Sequence, residues 1–195
     1  MKTKKILLTT LLILSSLNAS ASDIRDIVKN SDELEKSPNY IDPDSHVFGV
    51  EFNSTEDEVI ENLGSPDGYI RLDSNLSGMI YGSNKMYIFR NEKLYAFRLT
   101  HNVLDWKVSK FVAEKHNKNY SYMSQPWKVK SGIERNMKLT QVKEILGDRL
   151  IEGESKYHAS YETTVSVVDL SFSRSQDGES DEAYSVGSLF IRLKD

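Results

Sequence analysis

Apolar residues along the chain follow two spacings, and the change from one to the other happens twice. In "GVEFNSTEDEVIENLG" (Gly49–Gly64), Val59, Ile60 and Leu63 recur at helical intervals and fall on one face. Ser54 or Thr55 is placed to cap that helix, with Asp57 or Glu58 three residues on, as in a capping box. Gly64 then supplies a left-handed stop. Beyond it the period drops to two: "GYIRL", "GMIYG", "KMYIF" and "KLYAFRLTH" read as strands, with turns at Gly82-Ser83-Asn84 and Asn91-Glu92-Lys93.

The phrase returns as "GIERNMKLTQVKEILG" (Gly132–Gly147), at a constant offset of 83 residues. Seven of sixteen positions are identical: Gly49/Gly132, Glu51/Glu134, Asn53/Asn136, Val59/Val142, Glu61/Glu144, Leu63/Leu146 and Gly64/Gly147. Pro43/Pro126 extends the match upstream. Leu139, Val142, Ile145 and Leu146 form the second apolar stripe, and "RLIEG", "KYHASYE", "VSVVDLSFS" and "GSLFIRLK" are the matching strands. Upstream of each phrase lies a further amphipathic segment. "DIRDIVKNSDELEKS" carries Ile24, Ile27, Val28 and Leu34, and "DWKVSKFVAEKHNK" carries Trp106, Val108, Phe111 and Val112. The expected fold class is therefore α+β. Two tandem repeats, residues 22–104 and 105–195, each contain two helices followed by an antiparallel β-meander of about four strands.

Within the last hairpins, Tyr95, Phe97 and Leu99 are expected to correspond to Leu189, Ile191 and Leu193 and to face the helices. Ala96, Arg98 and Thr100 then correspond to Phe190, Arg192 and Lys194 and point away. Arg98, Phe190, Arg192 and Lys194 are the candidate protein-binding residues, because they combine charge and an aromatic ring on the outward side. Tyr87, Phe89, Tyr95 and Phe97 are explained by core packing. The second repeat alone contains "SRSQDGESDEAYSVG" (Ser173–Gly187), read as a long hairpin loop that serves either interaction or simple solvation.

The first residues change where these repeats are expected to work. Lys2, Lys4 and Lys5 precede an apolar stretch from Ile6 to Leu17 and the small residues Ala19-Ser20-Ala21, the order of a secretory signal cut between Ala21 and Ser22. The apolar stretch falls short of a bilayer span, so no transmembrane segment is expected after cleavage. Loss of three lysines takes the balance from 25 basic and 29 acidic residues to 22 and 29, a formal charge of −7. That balance disfavours nucleic acid and anionic membranes and suits a basic protein partner. The chain has no cysteine, which excludes disulfides, thiol catalysis, thiolate metal sites and attachment of lipid to an N-terminal cysteine.

The form G-[IV]-x-x-x-M-[ST]-x-x-[EQ]-V-x-x-[IL]-[LF]-G, met best by the phrase with Met137, Val142 and Gly147 and followed by a Tyr-bearing meander, resembles the SmpA/OmlA (BamE-like) outer-membrane assembly domain. Two copies in tandem resemble the β-lactamase inhibitory protein arrangement, which implies paired helix-plus-sheet repeats presenting a sheet surface to a protein target. Ser54 stands where Met137 does in the second copy, and neither the lipid-bearing cysteine of the assembly domains nor the disulfides of the inhibitory protein have a counterpart. No contact residue is carried over.

Catalytic patterns are weaker. His101 and Asp105 are four residues apart, but Asp105 reads more simply as a helix N-cap, and no G-x-S-x-G elbow accompanies them. There is no H-E-x-x-H, and "QDGESDEA" lacks the alternating ligands of an EF-hand loop. No catalytic, cofactor or metal residue is assigned. The expected function is an exported, periplasmic or secreted, non-enzymatic protein-binding module of the bacterial envelope, inhibitor-like or immunity-like. A structural assembly component is the alternative. A periplasmic hydrolase would need His101 and His158 with carboxylates in one cleft.

Overall fold

The computed structural model describes residues 39–71, 73–82, 84–100, 126–175 and 180–195, which belong to one compact unit from Pro38 to Asp195. The leader and both upstream amphipathic segments lie outside the described residues, as do His101, Asp105 and His116. In chain order the elements begin with β1 (Tyr40–Asp42), β2 (His46–Val47) and β3 (Val50–Glu51), followed by helix α1 (Glu56–Leu63). A first meander follows: β4 (Gly68–Arg71), β5 (Leu76–Tyr81), β6 (Lys85–Arg90) and β7 (Lys93–Leu99). The second half contributes β8 (Lys128–Val129), helix α2 (Leu139–Leu146) and a second meander of β9 (Ile151–Glu152), β10 (His158–Glu162), β11 (Ser166–Arg174) and β12 (Tyr184–Leu193).

The short helices form where the repeat predicts them. Thr55 Oγ1 accepts the Glu58 N–H at 3.2 Å, and the Glu58 carboxylate accepts the Thr55 N–H at 2.7 Å, which closes a capping box at α1. At α2 only half of that device survives. Gln141 Oε1 accepts the Lys138 N–H at 2.9 Å, but Lys138 has no oxygen with which to return the bond. Val59 and Val142, identical in the two phrases, are both fully buried. Three of the seven identities fall on backbone at positive φ in both copies: Gly49/Gly132, Asn53/Asn136 and Gly64/Gly147.

Two helices and a meander per repeat is not the architecture. The fold is mostly β, with two α-helices among the described residues. The segments around Pro43 and Pro126, for which no strand is expected from the sequence, supply strands to a small sheet of order β3-β2-β1-β8, in which β1 and β8 run parallel with Tyr40 opposite Lys128. The physical reason is that Ile41, Val47, Val50 and Val129 need burial, and they find it beside partners far away in the chain. Their runs are too short, and too interrupted by Pro43, Asp44 and Gly49, to show a period.

The two meanders do not stand as separate sheets. β7 pairs antiparallel with β12, so one eight-stranded sheet results, of order β4-β5-β6-β7-β12-β11-β10-β9. Its inner face, both helices and the small sheet share one core containing Met79, Tyr87, Phe89, Phe97, Leu189 and Ile191. The anchoring of each helix is also duplicated. Asn53 N–H donates to Leu94 O and Leu94 N–H to Ser54 O, while Asn136 N–H donates to Val186 O and Val186 N–H to Met137 O.

That shared anchor corrects the alignment of the last strands. Leu94 matches Val186, so Phe97 and not Tyr95 is the counterpart of Leu189. Both strands carry a bulge just after the anchor. Ile88 faces Ala96 and Phe89 faces Leu94, which leaves Tyr95 as the extra residue; Gly187 is extra between Val186 and Ser188. The bulge turns Tyr95 away from the helices. It packs on the outer face against the cluster of Ile80, Met86, Ile88 and Ala96, while Tyr87, Phe89 and Phe97 enter the main core as expected.

Candidate functional site

The outer side of the β7–β12 seam brings together three of the four candidate residues. Arg98 lies directly opposite Phe190, and Arg192 lies opposite Ala96, so Arg98, Phe190 and Arg192 share one face at the centre of the sheet. The Leu94/Val186 correspondence also makes Arg98 and Phe190 equivalent positions of the two repeats. The centre of pseudo-symmetry therefore carries a guanidinium from one copy and a ring from the other. Phe190 is half-buried against the Ile80, Met86, Ile88 and Ala96 cluster, whereas Arg98 is exposed. Neither Arg98 nor Arg192 makes an ion pair among the described residues.

Lys194 does not belong to this group in the same sense. Its Nζ donates to Thr163 O at 2.7 Å and pairs with Glu162 at 2.8 Å, which ties the chain after β12 to the β10–β11 turn. The hydrogen bond from Lys194, its charge and the more distant Arg192 hold the exposed Glu162 carboxyl below the usual range. Lys194 thus has an ion-pair partner for its charge, whereas Arg98 and Arg192 make no ion pair among the described residues.

Both ends of the stretch read as a long hairpin loop are strand. β11 reaches Arg174 and β12 begins at Tyr184; residues 176–179 lie outside the described residues. Two of its acids fasten the connection to α2: Asp181 pairs with Lys143 and Lys156, each at 2.8 Å, and Glu182 accepts from the Thr140 hydroxyl. Hydrogen bonds from Lys143 and Lys156 lower the Asp181 carboxyl.

Two of the clefts beside the sheet gather polar side chains from distant elements, and neither was legible in the sequence. One, of about 610 Å³, is lined by Glu56, Tyr69, Arg71, Asp73, Asn75 and Glu92 among others. Glu56 Oε1 accepts from the Tyr69 hydroxyl at 2.9 Å and from the Ser77 hydroxyl at 2.6 Å. The other, of about 530 Å³, includes Asp42, Lys130, Ser131, Arg149 and Tyr161. There Lys130 Nζ donates to Asp42 at 2.7 Å, and Tyr161 and Ser131 share a hydroxyl contact at 3.1 Å. Burial pushes the Tyr161 hydroxyl up to about 12, against the opposing Ser131 hydrogen bond. The residues of each cleft come from elements that meet only through the fold; Glu56 and Ser77 are on a helix start and an inward strand position.

Of the histidines, His46 Nδ1 lies 2.9 Å from Ser45 Oγ, and His158 Nδ1 lies 3.5 Å from Ser171 Oγ on the exposed outer face of β10 and β11. Among the described residues no three His, Asp or Glu side chains form a group suited to a metal ion. Comparison of the chain with protein-family models, with curated proteins and with solved structures returns no match.

Proposed function

We propose that this chain is an exported, non-enzymatic protein-binding module of the bacterial cell envelope, acting as an inhibitor or immunity protein does, and that it engages its partner through the outer side of the β7–β12 seam. The supporting observation is the cluster at the centre of the eight-stranded sheet: a half-buried Phe190 ring flanked by Arg98 and Arg192, neither of which makes an ion pair among the described residues. Aromatic and Arg anchors carry a disproportionate share of interface energy, and they do so at rigid, central positions. A guanidinium covered by a partner is stable only if that partner supplies carboxylates or carbonyls. The contact point therefore calls for acceptors on the partner, whereas the acidic chain as a whole favours the approach of a basic protein. The Lys-rich leader and the likeness of the two glycine-bounded phrases to envelope assembly and inhibitory domains support the cellular setting.

The test is affinity capture from periplasmic and membrane extracts with residues 22–195, followed by a measured affinity for the captured protein. The Arg98→Glu/Arg192→Glu variant is expected to bind it at least tenfold more weakly, the scale of losing hot-spot residues. A partner held equally by the variant would remove the seam as the site.

A further inference from the structure

The edge of the sheet in the first repeat has features that the seam does not use. Among the described residues β4 is an end strand, paired only with β5, so its far side presents unpaired backbone N–H and C=O groups. The opposite edge, β9, has only two residues and is held by the Lys143–Glu152 ion pair at 2.9 Å. β4 has four residues, no proline and no bulge. Its Tyr69 is 57 % exposed, the highest value among the large hydrophobic side chains of the described residues.

Tyr69 is also fixed in place. Its hydroxyl donates to Glu56 at 2.9 Å, so the ring is held while its surface stays open to solvent. A ring immobilised before binding loses little rotamer freedom on contact. Beside it runs the 610 Å³ cleft, along the inward side of β4 where Tyr69 and Arg71 project. Side chains of a strand alternate between faces, so a further strand laid along β4 would send every second side chain toward this cleft. The cleft contains three carboxylates, Glu56, Asp73 and Glu92, against one cation, Arg71. Among the described residues the Glu92 carboxylate has no hydrogen-bond or ion-pair partner, and Glu56 Oε2 has none either.

We propose that β4 is a docking edge for an extended peptide segment that adds as a further antiparallel or parallel strand and places a Lys or Arg side chain in the cleft beside Tyr69. Backbone hydrogen bonds give such an arrangement its affinity, and the cleft selects among side chains. The site lies apart from the Arg98, Phe190 and Arg192 cluster and recognises the opposite charge.

The experiment uses residues 22–195, isotopically labelled, and three probe peptides: Ac-TVKVKVT-amide, its glutamate counterpart Ac-TVEVEVT-amide, and the lysine probe methylated at alternate backbone nitrogens. The lysine probe is expected to shift the amide resonances of Gly68–Arg71 and to leave those of Arg98, Phe190 and Arg192 in place. The other two probes are expected to bind at least fivefold more weakly, one for lack of charge pairing and one for lack of ladder donors. Glu56→Gln/Glu92→Gln, checked for folding by circular dichroism, is expected to weaken the lysine probe by roughly fivefold, the scale of two exposed ion pairs. Equal binding of the lysine and glutamate probes, or tolerance of backbone methylation, would overturn the proposal. So would an absence of shifts at β4, or shifts confined to the seam. Loss of the captured partner in the seam variant, with the probe results standing, would leave the two sites as separate functions.

Discussion

At the scale of single residues, the repeated phrase preserves backbone shape as much as burial. Gly64 has φ 80° and ψ −175°, a combination that side-chain-bearing residues occupy only under strain. Nothing lies within 4 Å of the place a Cβ would take, so the cost of adding one is entirely backbone strain. Gly64→Ala is therefore expected to lower stability by about 1–3 kcal/mol, read as a fall in the urea midpoint at unchanged m. Asn53, at φ 67°, sits in the ordinary left-handed region that asparagine tolerates, and its N–H is committed to Leu94 O. Asn53→Gly should stay within roughly 0.5 kcal/mol, because the backbone bond is unchanged. An unaltered midpoint for Gly64→Ala would mean that α1 can end in another conformation. Identity at these positions was legible from the sequence alone, but the left-handed geometry that explains it was only inferable for the glycines. The asparagines gave no such hint.

At the scale of elements, the two copies act as controls for one another. Thr55 and Lys138 occupy equivalent positions with nearly equal backbone angles, φ −75° and ψ 166° against φ −71° and ψ 150°. Only Thr55 returns a side-chain bond to its helix, because only it has a hydroxyl. Lys138→Thr is therefore expected to complete the capping box of α2 and to raise stability by about 0.5–2 kcal/mol in chemical denaturation. A fall in stability would show that the Lys138 stem contributes more by packing than the missing cap would. Helices and long strands of this kind were readable because each carries its own signal: the Val59 and Val142 stripes, the alternation of Val168 to Phe172, and the Asn91-Glu92 turn with both residues at positive φ. The small sheet was not, since β1 and β8 are three and two residues long and acquire their ladder only from other strands, β1 from β2 and β8, and β8 from β1. Tyr95 was misplaced for a related reason. Strict alternation carries it inward, and the bulge that turns it outward is created by pairing with β6. The seam was half legible: parity placed Arg98, Phe190 and Arg192 on one face, but the direct Arg98–Phe190 opposition depends on β7 meeting β12.

At the scale of the whole molecule, two strand pairings among the described residues join the copies, the β7–β12 seam and the parallel contact of β1 with β8. Asp42 reinforces the second junction. Its carboxylate accepts from Lys130 Nζ at 2.7 Å, across 88 residues of chain, and from the Asp44 N–H at 3.1 Å. Burial alone would push this carboxyl up, but the bonds from Lys130, Asp44 and Ser45 outweigh it and hold the group below the ordinary aspartate value of 3.8. Because the folded chain binds this proton less readily than the unfolded one, the stabilisation is fully present above 3.8 and is lost as pH falls below that value. Asp181, Glu58 and Glu162 are lowered as well and act with the same sign. Urea midpoints are thus expected to stay level above about pH 5 and to drop steeply in stronger acid. Asp42→Asn should be less stable than the parent at neutral pH, since the Lys130 ammonium loses its charged acceptor. It should also lose less on acidification, so the two midpoint curves converge as pH falls. Parallel curves would mean that Asp42 titrates alike in the folded and unfolded chain, and that the junction between the copies rests on the Ile41–Val129 contact and the seam instead.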